Sequence, residues 1–226
     1  HADDLTPALH GAAANPVIES LLGHRSVRAF LPDAVPETSL SLMVAAAQSA
    51  ATSSNLQAWS VIAVRDPERK ARLATLVGGQ AHVRECPLLL VWIADLSRLD
   101  RVGVLTGVPA RANDYLEMFL VATVDAALAA QNAVVAAESL GLGTVYIGAM
   151  RNHPEKVATE LGLPDHAFAV FGLCVGRADP ARPASVKPRL DPAVVLHRET
   201  YEGVAPREPA RAPEGGEREA IARLRR

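Results

Sequence analysis

The stretch from Tyr115 to Leu140 constrains this chain more than any other. It is apolar over most of its length, with interruptions at Glu117, Asp125, Gln131, Asn132 and Glu138. A run this long could span a bilayer. An acid and two amides in mid-span are costly there, so the run predicts the central helix of a soluble protein instead. A helix that is apolar all round must be covered on more than one side. The sheet, other helices or a second subunit would supply the cover.

The flanking pattern supplies a sheet for that helix. Ser60–Arg65 and Leu88–Ala94 read as strands, the second apolar on consecutive residues and so buried on both faces. Thr144–Met150 reads as a short strand and turn, and Ala167–Val175 as another strand. Helices are expected from Asn15 to Gly23, from Pro36 to about Ala51, through Lys70, Leu73 and Leu76 to Gly78-Gly79, and from Pro154 to Leu161. The order from Ser60 on is strand, helix, strand, long helix, strand, helix, strand. It predicts an α+β fold in which helices cover a mixed central sheet within one domain, residues 15–201. Residues 96–112 mix Ser, Arg, Gly and Pro and read as a surface excursion or lid. From Arg177 on, Pro, Arg and Ala predict an extended C-terminal arm. Residues 1–14 read as a disordered or artificial start, and 202–226 as a flexible polar tail.

Composition narrows the function classes. With 49% hydrophobic but only 4% aromatic residues, the core must be filled by small aliphatics. A net charge of −2 with no block of like charge argues against nucleic-acid binding. Cys86 and Cys174 lie far apart in apolar runs and read as buried thiols. With no leader pattern recognised, a cytoplasmic protein without a membrane or nucleic-acid partner is expected.

No HExxH, CxxC, Walker loop or GxSxG occurs, and Gly141-Leu142-Gly143 lacks the third glycine of a dinucleotide fingerprint. His82, His153, His166 and His197 show no metal-ligand spacing, so no metal is expected. What remains is scattered: a basic turn at His24–Arg28, a Ser/Asn loop at Thr52–Gln57, Gly78-Gly79-Gln80, the strand end at Tyr146–Ala149, and Lys187-Pro188-Arg189. Together these supply cations, amide donors and acceptors, and close backbone approach. They suit a phosphorylated ring cofactor.

In order and content these segments resemble the flavin-dependent nitroreductase superfamily, most closely its oxygen-insensitive major nitroreductase and NADPH–flavin oxidoreductase branch. The resemblance runs from about Asn15 to Tyr201. It implies a nitroreductase-like fold, a homodimer with FMN at the interface, and NADPH or NADH as electron donor. It implies that His24, Arg25 and Ser26 bind the FMN phosphate, joined by Lys187 and Arg189. Arg28 would lie beside the pyrimidine edge of the ring. Thr52, Ser53, Ser54, Asn55 and Leu56 would line the cofactor from the opposite subunit, and Gln80 would hydrogen-bond it. Tyr146, Ile147, Gly148 and Ala149 would lie along the ring. No residue is expected to act as acid or base. Ala149 replaces a glycine common in the branch, and the residues after Tyr201 match none of its nicotinamide-gripping motifs.

The implied activity is two-electron, ping-pong hydride transfer from NAD(P)H through flavin N5 to small-molecule oxidants: nitroaromatics, quinones or free flavin. Two alternatives belong to the same fold. One uses reduced FMN for dehalogenation, enoyl reduction or flavin fragmentation; the other binds FMN without catalysis.

Overall fold

The computed structural model describes residues 15–201. The expectations for 1–14 and 202–226 lie outside the described residues. In chain order the elements are α1 (Pro16–Leu22), α2 (Glu37–Gln48), β1 (Trp59–Val64), α3 (Pro67–Leu76), α4 (Ala81–Glu85), β2 (Leu88–Asp95), α5 (Ser97–Thr106), α6 (Leu116–Ser139), β3 (Gly143–Ile147), α7 (Pro154–Leu161), β4 (Ala167–Gly176) and α8 (Pro192–Val195). Residues from Pro188 on form a separate unit, in which α8 is capped by the Asp191 side chain.

The sheet has the order β1-β2-β4-β3. Its four strands are antiparallel throughout. The parallel character expected of a mixed sheet is confined to one isolated bridge, Ser26 to Thr144. Strand–helix–strand order does not fix strand direction, and α3 and α4 carry the chain back beside β1 in the opposite direction.

β2 is buried along its whole length, as its unbroken apolar sequence predicts. Leu88, Leu90, Trp92 and Ala94 enter one core; Leu89, Val91 and Ile93 enter the other. The first core is closed by α2 and α6, the second by α3, α4 and α7. α6 faces the sheet with Ala122, Ala126, Ala129, Ala130, Ala133 and Ala137, all buried. Methyl side chains let a long helix lie close to a strand layer. The opposite stripe, Leu116, Leu120, Val124 and Leu128, is exposed. By length and composition α6 could cross a membrane, yet one face packs on the sheet. The cysteines are buried free thiols, as expected.

The 96–112 excursion contains a helix, α5, that the sequence pattern does not announce. The Asp95 carboxylate accepts from Ser97 N–H and Oγ–H at 3.1 and 2.6 Å, and Gly107 ends the helix at φ 71°. His166 ties this excursion to the start of β4. Its Nδ1 lies 2.8 Å from Asp100 Oδ2 and its Nε2 3.4 Å from Asp114 Oδ1. The hydrogen bond to Asp100 outweighs slight desolvation and raises the His166 pKa. A raised folded value contributes fully below the ordinary pKa of about 6.5 and is lost as pH rises through the folded value. The pair is exposed, so its effect is small. His166→Asn, which suits the left-handed φ of 59°, should lower Tm by about 1–2 °C at ~pH 6 and by nothing at ~pH 9. A Tm gap independent of pH would show that the charge is irrelevant.

Candidate active site

The basic turn follows α1, whose N-cap is Asn15; the Asn15 side chain accepts from Val17 N–H. Past Gly23 the chain runs extended along the outer edge of β3. Ser26 bridges Thr144, and Val27 N–H donates to Thr144 O at 2.8 Å. Val27 is buried and anchors the segment in the core below. Gly143 makes room for it, since a Cβ there would meet Val27 Cγ2 at 2.6 Å. Arg25 and Arg28 are thus exposed cations on a fixed backbone.

Arg28 makes no ion pair with any described residue. It stands close enough to His82 that its charge, after desolvation by burial, helps hold the His82 pKa below its ordinary value. His82 lies in α4, which follows the Gly78-Gly79-Gln80 turn, where both glycines have positive φ. Gln80 Nε2 donates to Val77 O at 3.0 Å, which leaves its carbonyl free to accept. Arg25 lines a cavity of about 290 Å³ with Ser20, Gly23, Glu138 and Gly143.

At the end of β3, Tyr146 is half-exposed and its ring packs edge-on against Phe171 at 5.0 Å. Burial, with the charge of Glu138, pushes its phenol above the ordinary value, so it stays neutral. Ile147 is buried in the second core, so only its backbone is available to a ligand. Gly148 and Ala149 open a single 3₁₀ turn ending at Arg151, whose first N–H groups have no partner within the turn. Arg151 braces that turn by donating to Val170 O at 2.6 Å.

The Thr52–Leu56 loop is built differently. Ser54, Asn55 and Gln57 sit at φ 50°, 54° and 52°, which is uncommon for residues with a Cβ. Asp125 Oδ1 accepts from Ser53 N–H and Oδ2 from Ala58 N–H, both at 3.1 Å. Ser53, Ser54 and Asn55 are exposed and Thr52 and Leu56 half-buried. Lys187 is exposed at the end of the first unit, and Arg189 belongs to the separate unit.

The polar interruptions of α6 hold these segments. Besides Asp125, Asn132 Nδ2 donates to Ala46 O at 3.1 Å, at the end of the helix leading into the loop. Gln131 Oε1 lies 3.5 Å from the Tyr146 hydroxyl. Glu138 accepts from Thr144 Oγ1–H at 3.3 Å and lies 2.7 Å from His24 Nδ1. From the sequence these residues served only to exclude a membrane span. Their signal was available: each sits in an otherwise apolar helix, where a polar side chain needs a partner.

The donor set fits FMN. Arg25, Arg28 and Lys187 are cations without a carboxylate partner among the described residues, Gln80 offers an acceptor, and Tyr146 offers an apolar ring. These features leave cations, an amide acceptor and open strand-edge backbone available to an anionic, ring-bearing ligand.

The chain belongs to the nitroreductase family, whose model matches residues 21–177. It is 43% identical over 188 residues to an FMN reductase (NADPH) of Bacillus subtilis, covering 83% of this chain and 75% of that protein. It is 40% identical, with the same coverage, to an oxygen-insensitive NADPH nitroreductase of Salmonella typhimurium. In structure it is similar to the NADPH:FMN oxidoreductase from Vibrio harveyi complexed with NAD+. The TM-score is 0.79 at 36% identity, covering 84% of this chain and 80% of that one.

Proposed function

We propose that this chain is an FMN-dependent NAD(P)H oxidoreductase that passes two electrons to small-molecule oxidants such as nitroaromatics, quinones or free flavin. The observation that carries the reading is Arg28: an exposed guanidinium without an ion-pair partner among the described residues, on the segment that runs along the β3 edge, with its charge reaching His82. The names of the relatives set out above support the same reading.

FMN, when bound, supplies a two-electron relay between a nicotinamide and an oxidant. The chain's own residues bind and orient. In this reading His24, Arg25, Ser26 and Lys187 hold the phosphate, with Glu138 fixing the His24 ring. Arg28 faces the pyrimidine edge and offsets negative charge arriving there, since a guanidinium stays protonated. Gln80 accepts from the ring, and the backbone of Tyr146, Ile147, Gly148 and Ala149 runs along it. With Tyr146 neutral and no other acid or base required, catalysis is orientation and electrostatics.

The functional unit in this reading is a homodimer. About 20 Å of helix separates Asp125, which holds the serine loop, from Glu138, which holds the basic turn. A loop so far from its own turn serves the site of a partner. Pairing of α6 stripes about a two-fold axis covers Leu120, Val124 and Leu128 and brings Thr52, Ser53, Ser54, Asn55 and Leu56 to the partner's basic turn. A cytoplasmic setting, where NAD(P)H is available, belongs to the same reading.

Steady-state kinetics test the activity. Donor and oxidant must occupy the same open ring face in turn, so varying both should give parallel reciprocal plots. Intersecting plots would require both substrates to bind at once and would contradict a single shared face.

A further inference from the structure

We infer that Asp125 is a positioning residue, which holds the Thr52–Ala58 loop in the one shape that can line the cofactor site. The inference rests on the function proposed above and assigns a role to a residue outside the five recognised segments.

Asp125 is 1% exposed, in a helix whose other buried residues on that face are mostly alanine. A buried carboxylate without partners is costly, and an apolar residue of similar volume often serves folding as well or better. Both oxygens are directed at one loop: Ser53 N–H reaches Oδ1 and Ala58 N–H reaches Oδ2. These donors flank Ser54, Asn55 and Gln57, all left-handed. Three such residues within four positions persist only where the surroundings over-determine them. A second clamp acts from outside, where Arg98 Nη2 donates to Gln57 O and Trp59 O, both at 2.6 Å. The carboxylate and the guanidinium bind backbone atoms alone. The side chains of Ser53 and Ser54 are left exposed, apart from any bond to α6, on a backbone that cannot relax. One residue of α6 thereby links the helix that carries the dimer stripe to the loop that serves the partner's cofactor.

The test uses the full chain with Asp125→Asn, which keeps one acceptor, and Asp125→Leu, which keeps none. A third variant approaches from the other end. Ser53→Pro removes the N–H at the first position of a 3₁₀ turn, after Thr52 in extended conformation. Ser53→Ala serves as its control for the hydroxyl. FMN dissociation constants come from quenching of flavin fluorescence, and loop order from amide exchange at residues 53–58.

The FMN dissociation constant should rise roughly tenfold for Asp125→Asn and further for Asp125→Leu, and Ser53→Pro should exceed Ser53→Ala. Exchange should quicken in the loop while the rest of α6 stays protected. The midpoint potential of the bound cofactor should not move, because no charge beside the ring changes. Unchanged affinity in all variants, or protection lost evenly along α6, would overturn the assignment. A wild-type protein that binds no FMN would overturn the proposed function and with it the cofactor role of Asp125. Unchanged affinity in variants of an FMN-binding wild type would overturn only the role of Asp125.

Discussion

Val124→Asp should turn the protein into a monomer and release its FMN. Val124 is 54% exposed in the single chain and stands between Leu120 and Leu128 on the outward stripe of α6. An acid there costs the isolated fold little, so circular dichroism and Tm should change slightly. In the proposed two-fold dimer the same position would be buried, and the substitution would place two carboxylates in the interface. Burying a charge without a partner costs several kcal/mol per ion. An interface of the obligate kind, on the order of 2,000 Å² or more, would not form at micromolar concentration. Each site would then lose the partner's serine loop, and FMN affinity should fall at least a hundredfold. Sedimentation of the flavin-loaded and flavin-free variant measures both effects. A folded Val124→Asp protein that remains dimeric, or a monomer that keeps its flavin, would place the interface elsewhere.

Arg28→Gln should separate redox tuning from binding. The phosphate carries the same charge in both redox states, so residues that hold it act on affinity. In the proposed site Arg28 faces the edge where negative charge arrives on reduction. Gln keeps some hydrogen bonding but removes the cation. For a two-electron couple, roughly 30 mV corresponds to about 1.4 kcal/mol. Loss of a cation next to the ring should be of that size or somewhat larger. Affinity for oxidised FMN should stay within a few-fold, while the midpoint potential falls by tens of millivolts and reduction by NAD(P)H slows. Equal loss of affinity in both redox states, with no shift in potential, would make Arg28 a phosphate ligand. No change in either would make it a surface residue.

The sequence made the elements of this fold legible for a simple reason. β2 had to be internal because Leu88–Ala94 offers no polar face, and α6 had to be central because its apolar run is too long for a surface helix. Topology was less legible. A strand, a helix and a strand in order do not reveal whether the second strand returns parallel or antiparallel, and the sheet is antiparallel. α5 was missed because its exposed Val102, Val104 and Leu105 follow no core-facing pattern; its stop at Gly107 and the Asp95–Ser97 contact were the available signals.

At the site, the basic turn, the glycine–glutamine turn and the strand end could be picked out because cations, glycines and amides stand apart from apolar surroundings. Their supports could not. Asp125 and Glu138 act on partners 72 and 114 residues away, and no local pattern encodes such a pairing. Ile147 shows the converse: it lies in a recognised segment, yet strand alternation turns its side chain into the core.

The most direct test of the account is the visible spectrum of the purified protein under anaerobic conditions, before and after one equivalent of NADPH or NADH. The account predicts a yellow, FMN-loaded protein whose absorbance bleaches on addition of a reduced nicotinamide and returns on addition of a quinone or nitroaromatic. A protein that takes up no FMN, or that binds FMN and keeps its colour with both nicotinamides, would contradict it.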